Sequence, residues 1–313
     1  MTASFAICCK SRSSKNKEDE FQKYVEIIRD LKFDSGLWMT ASSKAEPDFG
    51  RARLLDFGSG ATGEDTPWRI FQWANYKHSL RNVPETKDGE KFVYESESTK
   101  VTVDRNTGAF GLRIKAQNEY DAPREYFQDW PHLYFDQTLT GIPTLGELDE
   151  LIMEIDFIVN RCDNLMAPEE FDPLLHTAQF VWYVTVVNKD SIHGAMGDYL
   201  WFGYMFYDFR EEITNTVKLQ DFGKEDSTDK YIYCIGMKDV LDKPFAIGEK
   251  VTIAMDVLPT IRTAIEYAQN QGFLKGCITD LMTVTYMNIG LELPGTFDLD
   301  VEISKTGIKV KNK

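Results

Sequence analysis

The chain has 313 residues, is 42% hydrophobic, and contains 20 Phe, 14 Tyr and 6 Trp. That content is enough for a large core and excludes disorder as the dominant state. The formal charge of −15 disfavours contact with phosphate backbones, so nucleic acid is not an expected partner.

Five cysteines (Cys8, Cys9, Cys162, Cys234 and Cys277) are odd in number and widely spaced. No pair has zinc-like spacing, and a disulfide scaffold is not expected. Four histidines argue against a histidine-rich metal site. The apolar stretch FAICC is too short for a signal-peptide core, and basic residues follow it rather than precede it. No run approaches the ~18 apolar residues that span a bilayer. The expectation is a soluble protein with no membrane span, its compartment and oligomeric state open.

In chain order, residues 1–17 read as a flexible tail. Glu18–Phe33 follow a helical period, with Phe21, Tyr24, Ile28 and Leu31 on one face and acids in the first turn. This helix and a linker occupy 18–49, and a single β-sandwich domain is expected over 50–313. Ser35–Asp65 is rich in Gly, Ser and charge, with one apolar run, LLDF. WRIFQW at 68–73 alternates as a strand, and 82–90 is a turn-rich break. Short strands follow at 91–95, 101–104 and 110–115, the last entered through the Asn106-Thr107-Gly108 turn.

From residue 132 the strand pattern is dense. HLYFDQTLT, IMEIDFIVN, TAQFVWYVTVV, YLWFGYMFYDF, YIYCIG, KVTIAM, TVTYMNIGLEL and FDLDVEI begin at 132, 152, 177, 199, 231, 250, 283 and 297. One helix interrupts them at 258–271. Leu258, Ile261, Ala264, Ile265 and Ala268 share a face, Pro259 sits in the first turn and Gly272 ends it. One helix against eight strands excludes regular βαβ repeats. The predicted class is all-β, a two-sheet antiparallel sandwich.

Side chains alternate across a strand, so parity sorts them into faces. Leu133, Phe135, Ile155, Phe157, Phe180, Trp182, Ile289, Leu291, Leu299 and Val301 define the core set. The opposite set carries His132, Tyr134 and Asp136; Glu154 and Asp156; Gln179 and Tyr183; Tyr286, Asn288 and Glu292; and Asp298, Asp300 and Glu302. The Tyr199–Phe209 strand is bulky on both faces and reads as central, covered on both sides. Trp68 and Trp73 differ in parity and should not share a face.

A solvated sheet face would carry mainly Lys, Glu and Thr. Rings interspersed with amides and acids suit sugars, whose C–H faces stack on aromatics while hydroxyls pair with polar groups. The candidate ligand-binding residues are Trp130, His132, Tyr134, Gln179, Tyr183, His193, Tyr286 and Asn288. The candidate catalytic carboxylates are Glu292, Asp136, Glu154 and Asp156, since glycoside hydrolysis uses two acids flanking the bond. Glu292, in GLELPG, lies at a strand end among apolar neighbours, where a raised pKa is expected. The loop Asn188–Tyr199 places Asn188, Asp190, His193 and Asp198 together. An ordinary loop is its simplest reading. No cofactor is assigned, with calcium on these oxygens as the one alternative carried forward. Neither a dinucleotide fingerprint, a phosphate loop nor a nucleophile elbow is present.

The segments WPHLYFDQ, AQFVWYVTVVNKD, GDYLWFGYMFYDFR and NIGLELPGTFDLDVEI, in this order, resemble large jelly-roll proteins from bacteria. They are similar in general form to the β-sandwiches of lectins, glucanases and carbohydrate-binding modules. The resemblance covers about residues 50–310 and implies a jelly roll and a sugar-related role, with no specific activity attached. The leading expectation is a carbohydrate-binding protein using a concave aromatic and acidic sheet face, its partner a glycan. The alternatives are a glycan-cleaving hydrolase or lyase using paired carboxylates, and a structural or assembly protein.

Overall fold

The computed structural model describes residues 24–222 and 227–313. The described strands are, in order, β1 (Val25–Glu26), β2 (Leu37–Met39), β3 (Arg53–Leu55), β4 (Trp68–Trp73), β5 (Thr86–Asp88), β6 (Lys91–Glu95), β7 (Thr99–Asp104) and β8 (Ala109–Lys115). There follow β9 (His132–Thr138), β10 (Leu148–Asn164), β11 (Gln179–Asn188), β12 (Tyr199–Asp208), β13 (Val217–Gln220), β14 (Tyr231–Gly236) and β15 (Lys250–Asp256). Helix α1 (Leu258–Asn270) precedes β16 (Met282–Glu292) and β17 (Phe297–Asn312).

The strands form two sheets packed as a jelly-roll sandwich. The first has the order β15-β10-β17-β8-β7-β6-β5, with β1 added alongside β17. The second runs β13-β14-β12-β11-β16-β9-β4-β2-β3. Pairing is antiparallel except at β12–β14 and β2–β4, which are parallel. Between the sheets lie the side chains that parity assigns inward, among them Phe135, Phe157, Phe180, Trp182, Ile289, Leu299 and Val301, all fully buried. Phe157, Phe180 and Phe206 meet at ring separations of 4.9–5.2 Å. One contiguous apolar cluster extends from Ile27 to Val310. Helix α1 buries Leu258, Ile261, Ala264, Ile265 and Ala268 against β10 and β12. Gly272, at φ +88°, adopts the left-handed conformation that ends the helix cheaply.

The N-terminal helix expected over 18–33 needs correction. Its residues 18–23 lie outside the described residues, and 24–33 are not helical. Val25–Glu26 instead pairs with Val310 and Lys309 of β17. Ile27, Ile28 and Phe33 enter the core. Of the described residues on the expected apolar face only Ile28 is buried, while Leu31 is exposed, because an irregular segment that follows the sandwich buries Ile27, Ile28 and Phe33 instead. β2 also places sandwich structure before residue 50. β17 continues nine residues beyond the expected Ile303, through SKTGIKVKN. Its outward lysines masked the inward Ile308 and Val310.

Candidate functional site

The outer face of the second sheet forms a cleft of about 470 Å³. Its floor follows from strand register. Asp208 of β12 lies opposite Gln179 of β11, which lies opposite Glu292 of β16. Glu292 faces His132 of β9, and His132 faces Trp73 of β4. All five line the cleft, so one row of side chains crosses five strands. At ~4.8 Å per strand the row spans roughly 19 Å. A parallel row on the same face runs Met205, Val181, Gly290, Tyr134 and Phe71.

Glu292 is held by three aromatic side chains. Tyr134 donates its hydroxyl to Oε1, and Trp130 donates Nε1–H to Oε2 at 3.0 Å. His132 Nε2 lies 3.3 Å from the same Oε2. The Glu292 side chain is 16% exposed, which keeps it accessible from the cleft. Gly290 makes room for this arrangement, because a Cβ there would meet Tyr134 Cδ1 at 2.8 Å and the Leu133 carbonyl at 2.0 Å. A glycine inside a strand often marks such a close approach. Burial holds the phenols of Tyr134, Tyr183 and Tyr286 well above their ordinary pKa, so each remains a neutral hydrogen-bonding group.

Asp208, two strands away in the row, is clamped differently. Arg210 donates Nε–H to Oδ1 at 2.8 Å and Nη2–H to Oδ2 at 2.6 Å. Thr177 donates to Oδ1 at 2.6 Å and Gln179 to Oδ2 at 2.7 Å. Burial raises its pKa, but the hydrogen bonds and charge of Arg210, with Thr177, outweigh it and leave Asp208 below the usual carboxylate value. Asp208 is therefore ionised at neutral pH. It was not among the candidate residues drawn from the sequence. The Asp208–Arg210 spacing was the available signal, since i and i+2 share a side of extended chain.

Rings line the cleft on both sides of this row. Phe71 and Trp73 stack at 6.2 Å with a 15° interplanar angle. Trp201 meets Tyr183, Tyr199 and Tyr286 edge-on and donates to Thr228 Oγ1 at 3.1 Å. Trp201 and Met205 thus put one side of β12 on the cleft, whereas Phe202, Tyr204 and Phe206 are core. Trp68 is core and Trp73 faces the cleft, as their parity requires. Trp130 stacks on the His132 ring at 5.5 Å and carries Arg124 at 4.6 Å, so it is packed in place and contributes chiefly its N–H.

Among the residues singled out from the sequence, the cleft brings together Trp130, His132, Tyr134, Gln179, Tyr183, Tyr286, Asn288 and Glu292. The others lie elsewhere. Asp136 is fully buried beside the cleft and takes a bidentate pair from Arg69 at 2.7 and 2.9 Å and the Tyr286 hydroxyl at 2.8 Å. It is a strut beneath the floor. Burial raises its carboxyl pKa, against the pull of Arg69 and Tyr286.

Glu154 and Asp156 belong to the outer face of the first sheet. Glu154 pairs with Lys305 at 3.0 Å and Lys309 at 2.6 Å, and Asp156 with Lys250 at 2.7 Å. They sit on the opposite side of the sandwich from Glu292, because β10 joins the other sheet, a fact that parity within one strand does not contain. His193 is about half exposed in the β11–β12 loop, bound to Asp190 of its own turn. In that loop Asn188 Nδ2 donates to the carbonyls of Asp190, His193 and Ala195, and Asp198 pairs with Lys230 at 2.6 Å. The polar groups tie the loop together rather than converge on an ion. Among the described residues no group of three or more His, Cys, Asp or Glu is placed to hold a metal. No helix among the described residues is long and apolar enough to cross a membrane.

No family model and no curated protein sequence matches the chain. Solved structures that match include a cellulase derived from Cel12A of Rhodothermus marinus, at 10% identity and TM-score 0.40, covering 77% of this chain and 100% of that one. A family 12 xyloglucanase from Bacillus licheniformis matches at 10% identity and TM-score 0.40, covering 74% and 97%. The family 11 xylanase of Neocallimastix patriciarum matches at 7% identity and TM-score 0.36, covering 77% and 100%. At these scores the likeness is distant.

Proposed function

We propose that the cleft binds a glycan chain across the strands and hydrolyses it, with Glu292 on the proton-donating side and Asp208 as the base. The observation that carries this reading is the register row. It sets two cleft carboxylates two strands apart, roughly 10 Å between backbones. Inverting glycoside hydrolysis places its acid and base ~6.5–9.5 Å apart, leaving room for a water between them. Asp208, kept ionised by Arg210, suits the base. Gln179 between the acids presents an amide to a sugar hydroxyl, and Trp73, Trp201 and Tyr286 offer ring surface to sugar C–H faces.

The test is release of reducing ends from a panel of soluble β- and α-glucans, xylans and mannans, with the anomer of the first product followed by proton NMR. Cleavage with inversion, lost in Glu292→Gln and Asp208→Asn, is the expected result. Cleavage that is undiminished in Glu292→Gln would overturn the assignment.

A second reading, binding without cleavage, is favoured by the five donors on Asp208, which lower its basicity. Under that reading wild type binds a glycan from the panel, shown by calorimetry, and releases no reducing ends.

A further inference from the structure

We propose that His132 and Glu292 form a proton-sharing pair, and that the pair, rather than Glu292 alone, is the proton donor of the cleft. The inference rests on the hydrolytic reading above for the donor role, while the pair itself rests on geometry.

Glu292 accepts from the Tyr134 hydroxyl and from Trp130 Nε1, and both donors favour a carboxylate over a carboxylic acid. Asp208 is held ionised. Donors of this kind weaken each carboxyl as a source of the proton that a leaving oxygen needs. The buried His132 ring, with Nε2 3.3 Å from Glu292 Oε2, supplies that deficiency. Imidazole is the side chain whose ordinary pKa, about 6.5, lies nearest neutrality.

The ring is fixed for the task. It lies between Trp130 at 5.5 Å and Tyr134 at 5.9 Å, with interplanar angles of 26° and 35°. Its backbone carbonyl accepts from Asn75 Nδ2 at 2.9 Å, and the same amide reaches the Trp73 carbonyl at 3.0 Å. Asn75 thereby ties together the ends of β4 and β9.

The charged and titratable groups facing His132 come from several elements. Glu292 of β16 is in contact. Arg124 lies over Trp130 at 4.6 Å, and Lys44 lies over Trp73, the register partner of His132, at 4.8 Å. The Tyr134 phenol stays neutral. The two cations oppose protonation of the imidazole, but each lies against the ring of a neighbouring tryptophan. The carboxylate favours protonation at contact distance and dominates, because Coulomb energy falls with separation.

In the reaction, the pair's proton passes to the glycosidic oxygen as the bond from that oxygen to the anomeric carbon breaks. The leaving chain departs as an alcohol. Asp208 takes a proton from the attacking water, whose hydroxyl completes the anomeric carbon. That proton returns through solvent to the pair, so one water is consumed per bond cleaved.

The experiment is a proton NMR titration of the imidazoles in wild type and in Glu292→Gln, with His132 assigned by its absence in His132→Asn. His132 is expected to titrate above about 6.5 in wild type and to fall by about one unit or more in Glu292→Gln. A His132 whose titration is the same in both overturns the pair. In parallel, the pH profile of hydrolysis is expected to lose its alkaline limb in His132→Asn, and an unchanged limb overturns the donor role. If wild type cleaves no glycan, the donor role falls with the hydrolytic reading, while the NMR shift still decides whether the pair exists.

Discussion

The two outer faces of the sandwich carry similar letters in the sequence and opposite chemistry in space. On the first sheet Glu154 and Asp156 alternate with core residues and meet Lys305, Lys309 and Lys250, whose side chains reach into solvent. On the second sheet Glu292 and Asp208 alternate in the same way, but their neighbours are Tyr134, Trp130, His132, Gln179 and Arg210. A carboxylate among lysines is an ion pair whose charge is neutralised by its neighbours. A carboxylate among rings and fixed donors in a cleft faces a space that a ligand can enter, which the proposed hydrolysis requires. The difference lies in which strand comes next in the sheet.

That contrast can be broken in several ways. The largest effect is expected from Glu292→Gln, which should lower kcat on the cleaved glycan by about 10²–10⁴ and leave the thermal midpoint nearly unchanged. Equal losses of stability and activity would make Glu292 a structural residue like Asp136.

Asp136→Ala should show the reverse pattern. It strips a partly buried Arg69 and the Tyr286 hydroxyl of their partner, at a cost of about 3 kcal/mol in a urea melt. Activity per folded molecule should persist. Trp201→Ala removes a ring from the cleft wall and should weaken glycan affinity about tenfold by calorimetry, or about 1.4 kcal/mol. Glu154→Gln, on the first sheet, should lower stability by about 1 kcal/mol and leave cleavage untouched, since both of its lysine partners remain partly open to solvent.

The pH dependence of stability sharpens the same comparison. The Asp208 pKa is depressed in the folded state, so its ionised form stabilises the fold above the unfolded value, near 3.9. That contribution fades as pH falls from there through the lower folded value. The stability difference between wild type and Asp208→Asn should therefore shrink below about pH 4, as measured by acid titration of urea midpoints. A difference that is constant with pH would mean that Asp208 gains nothing from Arg210.

Much of the cleft could be read before its shape was known. Parity put His132, Tyr134, Gln179, Tyr183, Tyr286, Asn288 and Glu292 on one side of their strands, and these line the cleft together. Trp201 and Asp208 were harder to read because β12 is bulky on both faces, and ring size alone does not distinguish a cleft wall from a core. Phe71 and Trp73 sat in a six-residue strand far from the others in sequence, with nothing local to join them to β9.

The sequence by itself determined the period-2 alternation, the helix expected at 258–271 and the inward set of side chains. These are local consequences of backbone geometry and hydrophobic burial, acting within a few residues. Only the tertiary structure decided that β10 and β16 belong to different sheets, and that Asp208, Gln179, Glu292, His132 and Trp73 form one row. Strand order and register are set by contacts between segments far apart in the chain, which no single strand encodes alone.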